Sequence, residues 1–205
     1  MVPSPDHHII VLGGGGHAAH IIALIAASGC GQAVACYDDD ARLQNREVAG
    51  VPVRGGVSHW AALAPGPMGA VVIGIGDPVV RKRLLDMARE CGWKLPSIVH
   101  PMAAIASDAV IGGACVVDAG AVIGARACVG EGGIIDACAT IAHDADLGDF
   151  VHLEPGARIL SGAKVGSHAL IGAGAVVQRN ASVEDCADIA PLTLVSAVRS
   201  ARKRN

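Results

Sequence analysis

The sequence predicts a mixed fold: a small α/β unit over residues 1–100, then a solenoid of short stacked strands over residues 101–205. Three observations predict it. An aliphatic residue recurs every sixth position from Ile105 onward. Strands alternate with helices before that point, around a run of four glycines. And 52% of the 205 residues are hydrophobic while only Tyr37, Trp60, Trp93 and Phe150 are aromatic. A thick core draws on aromatic rings for buried area, so this composition points to a narrow interior.

Taking the elements in order, His8–Leu12 reads as a short buried strand, followed by Gly13–Gly16 and a helical run from His17 to Ser28. Gly29 and Gly31 stop that helix. A second strand spans Ala33–Tyr37 and ends in Asp38-Asp39-Asp40. A third spans Ala70–Ile75 and runs into Gly76-Asp77-Pro78, with a helix to Cys91 that carries proline in its first turn. Strands alternating with helices in this way build a parallel sheet, here a half-Rossmann unit. Lys94–Val99 resumes extended structure, and His100-Pro101 leads into the second half.

From Ile105 the chain divides without insertion into fifteen six-residue units, from IASDAV through IAHDAD and ILSGAK to IAPLTL. Position one is Ile, Leu or Val in all fifteen, and position five is Ala in eleven. In a chain about a quarter aliphatic, chance would do this with a probability on the order of 10⁻⁹. A period of six fits neither a helix nor simple strand alternation. Units this short cannot bury one aliphatic side chain alone, so they stack, each coil roofing the one below.

Composition excludes other classes. The longest apolar run, Ile21–Ala27, is far short of the ~20 residues that span a bilayer. MVPSPDHH has no cationic leader, so no secretory signal is expected. A net charge of −3 gives no electrostatic case for nucleic acid. The seven cysteines form no CxxC and read as reduced thiols in a cytoplasm, and no pair shows metal-ligand spacing.

The strand–glycine turn–helix start is an anion site: unpaired amides and the helix dipole converge there, and glycine admits a phosphate to the backbone. Gly13-x-Gly15-x-x-Ala18, with an acidic residue about twenty positions on, also fits the dinucleotide fingerprint. A tight turn with no ligand remains the alternative. In the solenoid, IAHDAD places His143 and Asp144 together at a corner. A neutral imidazole can serve as a general base, and a neighbouring carboxylate fixes its tautomer. Adjacent residues on a regular strand face opposite ways, which leaves this pairing open. His143, His152 and His168 are nine and sixteen residues apart, unlike the spacing of a zinc hydratase on a similar solenoid.

Gly15-Gly16-His17-Ala18, the acidic pair after the second strand, Ile75-Gly76-Asp77 with Arg81, and the hexapeptide units form one pattern over nearly the whole chain. It resembles the bacterial nucleotide-sugar acetyltransferases that N-acetylate 4-amino-4,6-dideoxy sugars, relatives of the sialic acid O-acetyltransferases. The resemblance implies a left-handed parallel β-helix, three units per coil and about five coils, with residues eighteen apart stacked. It implies acetyl-CoA as co-substrate, no metal, and a homotrimer whose active sites each need two chains. Gly15, Gly16 and His17 would contact phosphate, Asp38 the base or ribose, and Asp77 lies in the substrate-binding pattern. His143 would be the general base and Asp144 its orienting acid, with His152 near acetyl-CoA. Ser161, eighteen after His143, would offer its amide to the thioester oxygen where relatives often carry glycine. Asp136 stands where relatives frequently have asparagine near the sugar amine. No cysteine or serine shows a paired base, so direct transfer without an acyl-enzyme is expected. O-acetylation of a sugar such as sialic acid, and a non-catalytic nucleotide-sugar-binding solenoid, are the alternatives, and UDP, GDP and dTDP are equally open. The last three units keep the inward aliphatic but lose the corner glycines. Arg199, Arg202, Lys203 and Arg204 in the tail either reach a CoA phosphate or stay solvated.

Overall fold

The structure, a computed structural model, describes residues 8–66 and 69–196; the basic tail lies outside them. Its first part is a five-stranded sheet. Strand β1 (His8–Leu12) lies between β2 (Gln32–Tyr37) and β5 (Gly69–Ile73), parallel to both. Beyond β2 come β4 (Val51–Gly55), also parallel, and the short antiparallel β3 (Glu47–Val48), giving the order β3-β4-β2-β1-β5. Apart from its first residue β1 is buried along its length, as a strand with both faces covered must be.

Helix α1 (Gly16–Ser28) connects β1 to β2 and ends at Gly29, whose φ of 65° supplies the left-handed cap. Helix α2 (Val57–Ala61) follows β4 and buries Trp60. Helix α3 (Pro78–Glu90) starts with Pro78 behind an Asp77 cap that accepts from the Val79 and Val80 amides. β1, α1, β2, β5 and α3 fall within two residues of where the sequence predicts them, while β3, β4 and α2 have no counterpart in that pattern.

The second part is a parallel β-helix of two-residue strands on three faces. The first face carries Ile98–Val99, Val116–Val117, Ile134–Ile135, His152–Leu153, Leu170–Ile171 and Asp188–Ile189. The second runs from Ala104–Ile105 through Val122–Ile123, Thr140–Ile141, Arg158–Ile159 and Val176–Val177 to Leu194–Val195. The third runs from Val110–Ile111 through Cys128–Val129, Asp146–Leu147 and Lys164–Val165 to Ser182–Val183. Register pairs such as Val122 with Thr140 and Thr140 with Arg158 are eighteen residues apart, so each coil is three hexapeptides.

The position-one aliphatics form the core, with Ile135, Ile141, Leu153, Ile159, Ile171 and Val177 all fully buried. Position-five alanines such as Ala139, Ala157, Ala163 and Ala175 fill the remaining interior at 0% exposure, where a larger side chain would force the faces apart. Position four turns each corner. From Ala114 to Leu192 position four of every unit has a positive φ, in glycine and non-glycine residues alike. Arg126 at 56°, Cys138 at 58°, Asp144 at 61° and Phe150 at 59° all adopt it, the conformation that the third residue of a type II turn demands.

The stack is longer than five coils, because it begins at Ile98–Val99, which pairs with Val116–Val117. The residues 99–104, VHPMAA, are already a repeat unit. Pro101 sits at position three, a turn position that needs no ladder amide, and so resembles a break without being one. At the other end the three units without corner glycines remain in the stack.

The α/β part rests on the first face. Ile21, Ile22 and Ile25 of α1 share one buried cluster with Ile98, Val116 and Ile134. Arg81 of α3 is only 2% exposed and stitches the parts together. Its guanidinium donates to the carbonyls of Gly132 at 2.9 Å, Phe150 at 2.7 Å, Gly76 at 2.5 Å and Ile75 at 3.4 Å. Burial pulls its pKa down to about 10, so it stays cationic at neutral pH. An ion pair of Arg89 with Glu131, and a hydrogen bond between His20 and Asp118 at 2.8 Å, span the same seam.

Candidate active site

His143 lies at the corner between the second and third faces, after Thr140–Ile141 and before Asp146–Leu147. The left-handed φ of Asp144 reverses the alternation of an extended strand. It brings the two side chains together, with His143 Nδ1 2.6 Å from Asp144 Oδ2. Arg126, one coil earlier at the same corner position, donates from Nε to Asp144 Oδ1 at 2.7 Å and from Nη2 to Oδ2 at 2.9 Å. The Arg126 fork, and then the imidazole, hold the Asp144 carboxyl well below the usual carboxylate range.

An ionised Asp144 accepts the proton on Nδ1, which leaves Nε2 as the lone-pair nitrogen. Ser161 meets it from the next coil, its Oγ 3.0 Å from Nε2. Stacking by eighteen predicts this neighbour, with its amide as the functional group. Contrary to the expectation that no serine shows a paired base, the Ser161 hydroxyl has one in His143. Among the described residues, the Ser161 amide itself donates to no acceptor.

The other predicted residues gather on the first face and at the carboxyl end of the sheet. His152 Nε2 bonds Asp136 Oδ2 at 2.8 Å, with only 12% and 15% of the side chains exposed. The ring of His17 lies 6.1 Å from that of His152, and burial lowers the His17 pKa to about 4. A neutral ring beside His152 offers a phosphate no positive charge, which leaves the His17 amide in the first turn of α1. So the structure places His152 with Asp136 and His17, around the prism from His143 and Ser161.

Where the strand order reverses beside β1, a cleft of ≈130 Å³ opens between Gly13, Tyr37, Asp38, Asp39, Ile75 and Arg83. That is the place where open α/β sheets take ligands. Gly13, at φ 121°, is required by packing, since a Cβ there would come within 2.7 Å of the Gly74 carbonyl oxygen, whereas a Cβ on Gly14 would meet the movable tip of Leu43. A Cβ on Gly15 or Gly16 would meet nothing within 4 Å, so these two line open space at the start of α1. Asp38 accepts from the Gly14 and Asp40 amides, both at 2.7 Å, and so shapes the turn. Exposed Asp77 caps α3. Among the described residues no group of three His, Cys, Asp or Glu is placed to hold a metal.

Comparison with known proteins accounts for both parts. Residues 8–88 match the PglD N-terminal domain, and residues 144–179 match the bacterial transferase hexapeptide model of six repeats. The acetyltransferase domain of PglB from Neisseria gonorrhoeae is similar at 29% identity and TM-score 0.87, over 94% of this chain and 92% of that one. Its complex with acetyl coenzyme A is similar at 29% and 0.85, over 93% of each chain. A histidine-to-asparagine mutant of perosamine N-acetyltransferase from Caulobacter crescentus, in complex with CoA and GDP-perosamine, is similar at 30% identity and TM-score 0.87. That match covers 92% of this chain and 88% of that one.

Fold and repeats therefore define an acyltransferase of the hexapeptide class, built on a left-handed parallel β-helix. Within that class the chain belongs to the bacterial nucleotide-sugar N-acetyltransferases, enzymes that use acetyl-CoA.

Proposed function

We propose that this protein transfers acetyl from acetyl-CoA to the 4-amino group of a nucleotide-linked 4-amino-4,6-dideoxy sugar. The observation that carries this is His143, held by Asp144 on Nδ1 and met by Ser161 Oγ on Nε2. The sugar nitrogen attacks the thioester carbon, a C–N bond forms, and the proton leaving nitrogen passes to His143. The C–S bond then breaks, and the imidazolium returns that proton to the thiolate. The Ser161 amide is suited to the oxyanion, because among the described residues it has no acceptor.

Residues 1–100 act as the nucleotide-sugar domain, with Gly15, Gly16 and the His17 amide facing the diphosphate and Asp38 and Asp77 shaping the cleft. Residues 101–205 act as the transferase domain. The α/β part covers the first face, while His143 stands at the corner opposite it. A sugar held at the Gly15 turn therefore meets the His143 of a second copy. This supports a homotrimer with acetyl-CoA between neighbouring β-helices, where Asp136 and His152 of one chain approach the corner of the next. No helix among the described residues is long and apolar enough to cross a membrane, and we place the enzyme in the cytoplasm, where acetyl-CoA and nucleotide sugars occur.

The test is CoA release with a panel of UDP-, GDP- and dTDP-linked sugars. Turnover that requires a 4-amine supports this assignment. Turnover with hydroxyl sugars alone makes the enzyme an O-acetyltransferase, and binding without turnover makes it a nucleotide-sugar-binding solenoid.

A further inference from the structure

In the arrangement seen here, neither imidazole nitrogen of His143 is free. Nδ1 is engaged by Asp144 at 2.6 Å and Nε2 by Ser161 Oγ at 3.0 Å. Because Asp144 is an anion and can only accept, the neutral ring that acts as a base carries its proton on Nδ1, and the serine hydroxyl is then the donor to Nε2. A base seen this way can be reached from outside only through the oxygen that covers its lone pair. The Ser161 oxygen still has lone pairs of its own, and this side chain and the ring both stand at an exposed corner.

We propose that the Ser161 hydroxyl is a proton relay, accepting the proton from the acceptor nitrogen as it passes its own to His143 Nε2. The inference rests on the acetyl-transfer reading and deepens it. As the N–C bond to the acetyl group forms, an N–H bond breaks and an O–H bond forms on Ser161. The original serine proton moves in the same event to Nε2. Serine ends as it began, the imidazole becomes imidazolium, and that proton leaves with the CoA thiol. Nothing is oxidised or reduced, and no acyl-serine is formed.

Surrounding residues fit this role. Asp144 and its Arg126 fork prevent the ring from turning away, and Asp108 accepts from the Arg126 amide at 3.2 Å. Ser161 itself is fixed by the coil. The amide after it, that of Gly162, donates to the His143 carbonyl at 3.3 Å, so oxygen and ring stay in register. Alanine already occupies this corner position one coil before His143, as Ala125, and is accommodated there.

The experiment compares the full-length parent enzyme with Ser161→Ala and Ser161→Thr on the best nucleotide amino sugar from the panel. Circular dichroism confirms that each variant folds. The relay predicts that Ser161→Ala lowers kcat roughly 10- to 100-fold with both KM values within about 2-fold, and that Ser161→Thr recovers most of the loss. In mixtures of light and heavy water, kcat of the parent should bow downward, the mark of two protons in flight, and that of Ser161→Ala should be linear. An unchanged kcat in Ser161→Ala with the parent active overturns the relay alone. An acetyl adduct on Ser161, found by mass spectrometry after acetyl-CoA without acceptor, overturns it in favour of a covalent route. A parent inactive on every nucleotide amino sugar defeats the functional assignment first, and the relay with it.

Discussion

Arg126 and Asp144, one coil apart at the same corner, form a two-pronged ion pair with contacts of 2.7 and 2.9 Å. Exposed pairs of this kind contribute little to stability. This one fixes the carboxylate that bonds His143, so its effect belongs in the rate. Arg126→Gln should lower kcat about 3- to 10-fold with a small change in melting temperature, and Asp144→Asn should cost more, roughly 10- to 100-fold. Steady-state kinetics beside thermal melts checks both. A melting loss that exceeds the rate loss would make the pair merely structural.

Arg81 predicts the opposite balance. Its guanidinium is buried and satisfies carbonyls on both parts of the molecule. Arg81→Met leaves those oxygens without a donor, and we expect a loss of ~3 kcal/mol in urea unfolding. The α/β part should loosen from the first face, which makes the seam the earliest region to exchange amide hydrogens.

The pH dependence of stability should carry the signature of His17. Folded, its pKa is about 4 against 6.5 for the free side chain. Between those values the unfolded chain binds a proton that the folded one does not, so stability falls as pH drops from 6.5 toward 4. The contribution is on the order of 2 kcal/mol, since the ring is partly exposed. His17→Gln should flatten the slope of unfolding free energy over that window. A slope identical to the parent's would show that the ring is not sequestered beside His152.

Inside the prism, Ile159 is fully buried between coils. Ile159→Ala should cost ~2–5 kcal/mol, because neighbouring strands are tied by ladder bonds and cannot collapse into the space. Chemical denaturation measures it directly.

The solenoid was legible because its rule is local: one inward aliphatic and one small residue in every six. Its corners were hidden, because the left-handed turn at position four is occupied by Arg126, Cys138, Asp144 and Phe150, and none of these announces a positive φ as glycine would. That turn also decides whether His143 and Asp144 can touch, so the pair could be named from sequence but its geometry could not. The same stacking by eighteen that found Ser161 would have found Arg126 beneath Asp144; it had only to be applied downward as well as upward. His100-Pro101 concealed the first coil by resembling a linker. The β4–α2 stretch was unreadable because short segments such as VPVRG and VSHWA carry no sustained period. The resemblance puts His152 near acetyl-CoA. Its pairing with Asp136, sixteen residues earlier, depends on two coils meeting and has no local signature.

The most direct test of the account is kcat of His143→Asn with acetyl-CoA and the preferred nucleotide amino sugar, beside the parent and with the fold verified. Asparagine keeps a polar side chain at the corner but cannot take up a proton near neutral pH. The account predicts a loss of roughly 10²–10⁴-fold with little change in either KM. A variant within a few-fold of the parent would show that the proton leaves by another path and that this corner is not where the acetyl group is transferred.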